Sequence, residues 1–67
     1  MTAPDRLQRW RERRKLTQLE LAAKLKVRPE TIARWEAGSS TPSLSNAVDI
    51  ERVTGISYRS WLSGSPV

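Results

Sequence analysis

The strongest constraint on the fold is a very short connection between two helical stretches in the middle of the chain. The first stretch opens at Thr17 and runs to about Leu25, and the second begins at Pro29 and stops before Gly38. A connection of three to four residues forces two short helices to cross steeply, which leaves one of them free to project. The spacing therefore predicts a helix-turn-helix over about 17–37.

Helix start and stop signals support this division. Thr17-Gln18-Leu19-Glu20 fits the capping box, in which hydroxyl and carboxylate satisfy free N–H groups reciprocally. Pro29 suits the first position of a helix, and Gly38 suits the position just after its end. Five apolar residues at helical spacing are expected to face inward: Leu21, Ala22, Leu25, Ile32 and Trp35.

The flanking segments predict three more helices. Asp5 is expected to cap a first helix that runs to about Arg14, after a frayed start over 1–4. Ser43 and Gly55 are expected to bound a fourth helix, Leu44 to about Thr54, and Ser57 to cap a short fifth one. No segment alternates with period two, so no strand is expected.

Together these signals predict an all-α fold, a compact bundle of five short helices in a single domain over 1–67. Residues 44–67 carry little net charge and include Val48, Ile50, Val53 and Ile56, which indicates a packing or dimerisation surface. So small a core often depends on association with a second chain.

Composition excludes several classes of function. The 67 residues include no His and no Cys, which removes the usual general base, thiol catalysis and thiolate metal sites. The sequence contains neither a cluster of carboxylates nor a glycine-rich phosphate loop. We therefore expect no enzymatic activity, no cofactor and no metal. The longest apolar run is Leu21-Ala22-Ala23, too short for a membrane span, and no signal pattern opens the chain, so a cytoplasmic location is expected.

Positive charge is concentrated in the first half. Residues 1–38 hold ten basic and five acidic residues, whereas 39–67 hold two of each. A basic half is typical of a protein that binds a polyanion, although a charge run by itself more often marks a solvated helix face.

The stretch from Leu16 to Pro42 resembles the lambda-repressor/Cro-type helix-turn-helix family. The resemblance lies in Thr17-Gln18 opening one helix, Ile32-x-x-Trp35-Glu36-x-Gly38 closing the next, and the downstream Pro42. It extends over nearly the whole chain and is closest to compact, stand-alone members. The resemblance implies a lambda-repressor-like DNA-binding domain whose third helix enters the major groove while the second lies across the backbone.

The resemblance also implies roles for individual residues. Arg28 and Arg34 are expected to bind guanine, Glu30 a cytosine amino group, and Pro29 and Ala33 a thymine methyl. Glu30 and Arg34 are also four residues apart, so they could simply pair with each other. Contacts to DNA phosphates are expected from Gln18, Thr17, Thr31, Ser39 and Ser40.

Two further roles concern the architecture. Arg11 and Glu36 match a family ion pair that bridges the first and third helices, and they are interpreted as structural. A two-fold contact is expected at Tyr58, Trp61 and Leu62. The three tryptophans could stack on single-stranded nucleic acid, but their helical spacing favours a core position.

Two positions depart from the family pattern. Lys26 replaces the usual glycine of the turn, where the chain adopts left-handed dihedral angles at a cost of roughly 1 kcal/mol. Arg28 replaces the Ser or Thr that usually caps the third helix, and the lost cap costs about 1 kcal/mol. A cation at a helix N-terminus is unfavourable in the free protein and is better suited to a nearby DNA anion.

These observations favour a sequence-specific, double-stranded DNA-binding regulator, a Cro-like or phage-type repressor that binds a palindromic operator as a homodimer. A bacterial or phage origin is expected. The alternative is an antitoxin-like or other interaction module that binds a partner protein and regulates its own synthesis, for which the apolar C-terminal half is equally suitable.

Overall fold

The structure, a computed structural model, describes residues 2–62 and contains five helices. They are α1 Ala3–Arg13, α2 Gln18–Leu25, α3 Pro29–Ala37, α4 Leu44–Thr54 and α5 Arg59–Leu62. Residues 2–62 include no strand, so the all-α, five-helix prediction is confirmed. Within that range no helix has both the length and the apolar character needed to cross a membrane. The C-terminal part of the predicted dimerisation segment, residues 63–67, lies outside the described residues.

The first helix begins earlier than predicted. Thr2 is its N-cap, and the Thr2 hydroxyl accepts a hydrogen bond of 3.3 Å from the backbone N–H of Asp5. The Asp5 carboxylate in turn accepts bonds from the Thr2 backbone N–H and the Thr2 hydroxyl, at 3.3 and 2.9 Å. The prediction that Asp5 is the cap and that the helix starts after a frayed segment was therefore wrong. Thr2-Ala3-Pro4-Asp5 forms a capping box of its own, with Asp5 at the third helical position.

The boundaries predicted for α2, α3 and α4 agree with the structure, whereas α5 begins at Arg59, two positions after the predicted cap Ser57. Thr17 and Glu20 form the predicted capping box, in which the Glu20 carboxylate accepts a 2.7 Å bond from the Thr17 N–H. Ser43 caps α4, with its hydroxyl accepting from the Asn46 N–H at 3.3 Å. Gly38 and Gly55 end α3 and α4 at φ values of 76° and 81°, which only glycine adopts without strain.

The core lies where α1, α2, α3 and α4 meet. Its fully buried large side chains, one from each of these helices, are Leu7, Leu21, Ile32 and Ile50. The predicted inward residues of α2 and α3 are all buried. The three tryptophans differ, however: Trp35 and Trp61 are buried in the core, whereas Trp10 is half-buried at its edge.

Two lysines, rather than one, occupy left-handed backbone positions. Lys26 has φ 59° at the end of α2, which confirms the predicted departure from a glycine turn. Lys15, with φ 56°, adopts the same conformation between α1 and α2, a feature not predicted from the sequence. Each position carries a strain of roughly 1 kcal/mol relative to glycine.

Candidate nucleic-acid interface

The outward face of α3 presents the residues predicted to read DNA bases. Ile32 and Trp35 anchor the helix in the core, so the positions between them turn outward. The side chains of Arg28, Glu30 and Arg34 are exposed. Pro29 and Ala33 lie half-buried beside them. The predicted base-reading set therefore shares one accessible face.

Glu30 and Arg34 do not neutralise each other. Among residues 2–62, ion pairs within 4 Å join Arg11 to Glu36 and Arg52 to Asp49. The alternative, an ion pair between Glu30 and Arg34 on one helix face, is therefore not present in the structure of residues 2–62. Both charged groups remain available to a ligand.

The N-terminus of α3 has no side-chain cap, as its sequence predicted. Arg28 occupies the cap position with extended dihedral angles, φ −84° and ψ 152°, but its side chain makes no capping bond. Pro29 follows and has no N–H to satisfy. The helix end and the Arg28 guanidinium are positive, whereas the Glu30 carboxylate in the same first turn is negative, so this end of α3 presents both signs of charge.

The predicted pair between Arg11 and Glu36 is present in bidentate form. The Arg11 Nε donates to Glu36 Oε2 at 2.7 Å, and Nη2 donates to Oε1 at 3.0 Å. The Arg11 Nη1 also donates to the Leu16 carbonyl at 2.9 Å, which ties the α1–α2 connection to the same guanidinium. The hydrogen bonds to Glu36 raise the pKa of Arg11, so the guanidinium stays charged.

Gln18 contributes to this network in a way that sequence reasoning missed. Its Nε2 donates to Glu36 Oε1 at 3.1 Å, although the two residues lie 18 positions apart. The amide of Gln18 carries two N–H donors, so one is held by Glu36 and the other remains for a ligand. The backbone N–H of Gln18, at the first position of α2, also faces the end of the helix. The carboxylate of Glu36 therefore orients the side chain that was predicted to contact phosphate.

The remaining predicted phosphate ligands differ in availability. The Thr17 hydroxyl accepts a bond from the Glu20 N–H at 3.0 Å but keeps its own O–H to donate. Thr31 is half-buried, and Ser39 and Ser40 are exposed in the loop after α3. The Ser39 backbone N–H donates to the Arg34 carbonyl at 2.9 Å, so that main-chain donor is already engaged.

The residues predicted to form a two-fold contact do not share one environment. Trp61 is only 6% exposed and belongs to the core, whereas Leu62 is 55% exposed. Tyr58 is half-buried, and its backbone N–H donates to the Glu51 carboxylate at 3.1 Å. Of the three residues predicted to form the dimer contact, Leu62 and Tyr58 have exposed surface, whereas Trp61 is buried in the core. The dimer contact stays a prediction.

Comparison with known proteins agrees with this geometry. A family model described as helix-turn-helix matches residues 7–61. Multiprotein-bridging factor 1 of Candida albicans is 36% identical over 61 residues, which are 91% of this chain and 40% of that protein. Vegetative-specific protein H7 of Dictyostelium discoideum is 35% identical over 66 residues, 98% of this chain and 64% of that protein.

A third relative is Endothelial differentiation-related factor 1 of Homo sapiens. It is 34% identical over 61 residues, 91% of this chain and 41% of that protein. The chain therefore spans between 40% and 64% of the length of these three relatives. No solved structure gives a significant match.

Proposed function

Because the chain belongs to the helix-turn-helix family of lambda-repressor and Cro type, we propose that it regulates transcription by binding a specific sequence of double-stranded DNA. The single observation that carries this proposal is the exposed face of α3. Its charged side chains are free of intramolecular ion pairs and lie next to an uncapped helix N-terminus. In the proposed complex α3 lies in the major groove and the N-terminus of α2 meets the backbone.

Base recognition is assigned to the exposed face of α3. Arg34 and Arg28 carry the planar fork that matches O6 and N7 of guanine, and Glu30 accepts from a cytosine amino group. Pro29 and Ala33 offer only apolar surface, which suits a thymine methyl. Glu30 next to phosphates would be repelled, so a base contact is the favourable role for its carboxylate.

Backbone recognition is assigned to the start of α2. The free N–H of the Gln18 amide and the positive end of the helix suit a phosphate oxygen. Thr17 can add its hydroxyl. Thr31, Ser39 and Ser40 complete the set around α3. They contribute less, because Thr31 is half-buried and the Ser39 backbone N–H already donates to the Arg34 carbonyl.

The experiment selects binders from a random duplex library and then measures variants on the enriched sequence. Arg34→Ala is expected to cost about 1–3 kcal/mol and to relax preference at one position. Gln18→Ala is expected to weaken binding to all sequences nearly alike. Arg52→Ala, which removes an exposed cation of α4 paired with Asp49, is the matched control. Binding of the Arg34 and Gln18 variants equal to that of the unaltered chain would contradict the proposed docking.

We further propose that the chain acts as a Cro-like repressor, a homodimer on a palindrome whose half-sites are about one helical turn apart. Leu62→Arg tests the contact, because it places a charge on an exposed apolar side chain without disturbing Trp61. Leu19→Arg on α2, where the side chain is 64% exposed, is the control. Sedimentation with and without DNA should show dissociation for the Leu62 variant alone; equal behaviour of the two variants would exclude this interface.

A second candidate is a protein-interaction module. Two observations favour it: the relative from Candida albicans is named a multiprotein-bridging factor, and Leu44 and Val48 of α4 are 59% and 39% exposed. These side chains lie four residues apart on one helix face, which suits an apolar partner surface. Selection that enriches no DNA motif, together with loss of a partner on Val48→Glu, would favour this function over operator binding.

A further inference from the structure

Beside the α3 surface the protein has a second basic feature, a cleft between α1, α2 and α4. The cleft is lined by Trp10, Arg13, Arg14, Leu16, Lys24 and Val53, and is called the Trp10 cleft below. Three of these side chains are exposed cations, and no carboxylate is among the lining residues. By contrast, Arg9 on the same helix lines a surface hollow that includes Asp5 and Glu12. The Trp10 cleft is therefore a locally unbalanced positive site.

The lining of the Trp10 cleft includes a stacked aromatic and cationic pair. The Arg14 Cζ lies 4.6 Å from the centroid of the Trp10 ring, within cation–π distance. Trp10 is half-buried and packs against the core, so the indole is held in place, while Arg14 is exposed. The guanidinium thus presents a planar, positively charged surface at the mouth of the cleft.

The Trp10 cleft is separate from the proposed duplex-binding surface. No base-reading or phosphate-contacting residue proposed above lines it. On α2, Lys24 follows Gln18 by six positions, which places it about 9 Å further along the axis and about 120° around it. A duplex bound at the N-terminus of α2 would therefore not contact Lys24, which remains free to bind another ligand.

We propose that the Trp10 cleft binds single-stranded nucleic acid. Arg13 and Lys24 pair with phosphates, and one unstacked base lies on the Arg14–Trp10 pair. Aromatic rings and guanidinium planes are the surfaces on which proteins stack splayed bases. A duplex offers no free base face, and an acidic peptide offers carboxylates to the cations but no base to stack on the guanidinium plane.

The test measures the affinity of the full chain for fluorescently labelled oligothymidine and oligouridine of twelve nucleotides, by fluorescence anisotropy. Arg14→Ala should weaken binding at least fivefold, because it removes both a cation and the guanidinium plane on which the base is proposed to lie. Lys24→Ala should lower the slope of log affinity against log salt by about 0.7, the value for one phosphate of a single strand. Arg9→Ala is the matched control, and its affinity should change less than twofold.

A second readout locates the ligand at the indole. Oligothymidine should quench tryptophan fluorescence, and Trp10→Phe should remove that quenching, because Trp35 and Trp61 are buried. Arg14→Ala and Lys24→Ala should bind the selected duplex as the unaltered chain does. Three results would each overturn the proposal: equal losses for Arg9→Ala and Arg14→Ala, a parallel loss of duplex binding, or equal affinity for a polyglutamate peptide. The first result would mean that positive charge anywhere on the surface holds the strand. The second would mean that the cleft is part of one extended duplex-binding site, and the third that its ligand is a protein.

Discussion

Arg11 and Glu36 join the first helix to the end of the third through two hydrogen bonds, Nε to Oε2 at 2.7 Å and Nη2 to Oε1 at 3.0 Å. Only 13% of the Arg11 side chain and 4% of the Glu36 side chain are exposed. Gln18 donates to the same carboxylate at 3.1 Å. One buried carboxylate therefore holds α1, the start of α2 and α3 in a fixed arrangement.

We expect Arg11→Ala and Glu36→Ala each to lower the free energy of unfolding by roughly 3 kcal/mol, because the remaining charge would be buried without an opposite charge beside it. The double variant should lose clearly less than the sum. Urea unfolding measures all three, and Arg52→Ala, from an exposed pair, should cost under about 1 kcal/mol. Full additivity of the two single losses would contradict this account.

Replacing Arg28 should separate stability from binding. Arg28→Ser supplies a hydroxyl at a position whose dihedral angles already suit a cap, so the free protein should gain about 1 kcal/mol. The same change removes a proposed guanine contact and should weaken operator binding. Ser43→Ala is the reciprocal control. It should lower the free energy of unfolding by about 1 kcal/mol and leave the affinity for DNA unchanged. A less stable Arg28→Ser variant in thermal unfolding would show that the arginine stabilises α3 by another route.

The effect of glycine should depend strongly on which lysine of α2 and its turn is replaced. At Lys26, with φ 59°, Lys26→Gly removes left-handed strain and should leave stability unchanged or higher. Lys24→Gly removes the same charge inside the helix and should cost about 1 kcal/mol. Thermal unfolding of both variants checks the contrast, and equal losses at the two positions would contradict it.

The first helix should lose part of its stability in acid. The backbone N–H of Thr2, and then its hydroxyl, hydrogen-bond the Asp5 carboxylate and lower its pKa from the usual 3.8. A lowered pKa contributes stability above pH 3.8 that is lost as pH falls through the lower, folded-state value. The difference in melting temperature between the unaltered chain and Asp5→Asn should be present near neutral pH and shrink below pH 3.8. A difference that is constant with pH would exclude the charge as its source.

Local signals sufficed for most helix boundaries. The capping residues Thr17 and Ser43 and the left-handed residues Gly38 and Gly55 act within a few positions of chain, so their neighbours in sequence determine their geometry. The N-cap of α1 was wrongly assigned to Asp5 for a related reason. Thr2 opens an earlier capping box, so the helix has already begun before it reaches Asp5.

Contacts between distant parts of the chain were harder to predict. The pair of Arg11 and Glu36 came from the family resemblance, but the bond from Gln18 to Glu36 depends on how closely α2 crosses α3. The burial of Trp61, likewise, depends on how the last helix returns to the core. The basic surface of the Trp10 cleft combines residues of α1 and α2 with Val53 of α4, and no single stretch of sequence contains it.

The missing cap of α3 also has a consequence for hydrogen exchange. Side chains cap the first turns of α1, α2 and α4, at Thr2, Thr17 and Ser43. The first turn of α3 has no such cap and relies on the Arg28 carbonyl, which accepts from Thr31 and Ile32 at 3.0 and 3.3 Å. Amide protons are protected in proportion to the cost of opening their turn, so these should exchange with deuterium faster than their counterparts in α1, α2 and α4. The most rapidly labelled of these four first turns would then be the one proposed to contact DNA, and DNA binding would appear as a slowing of its exchange.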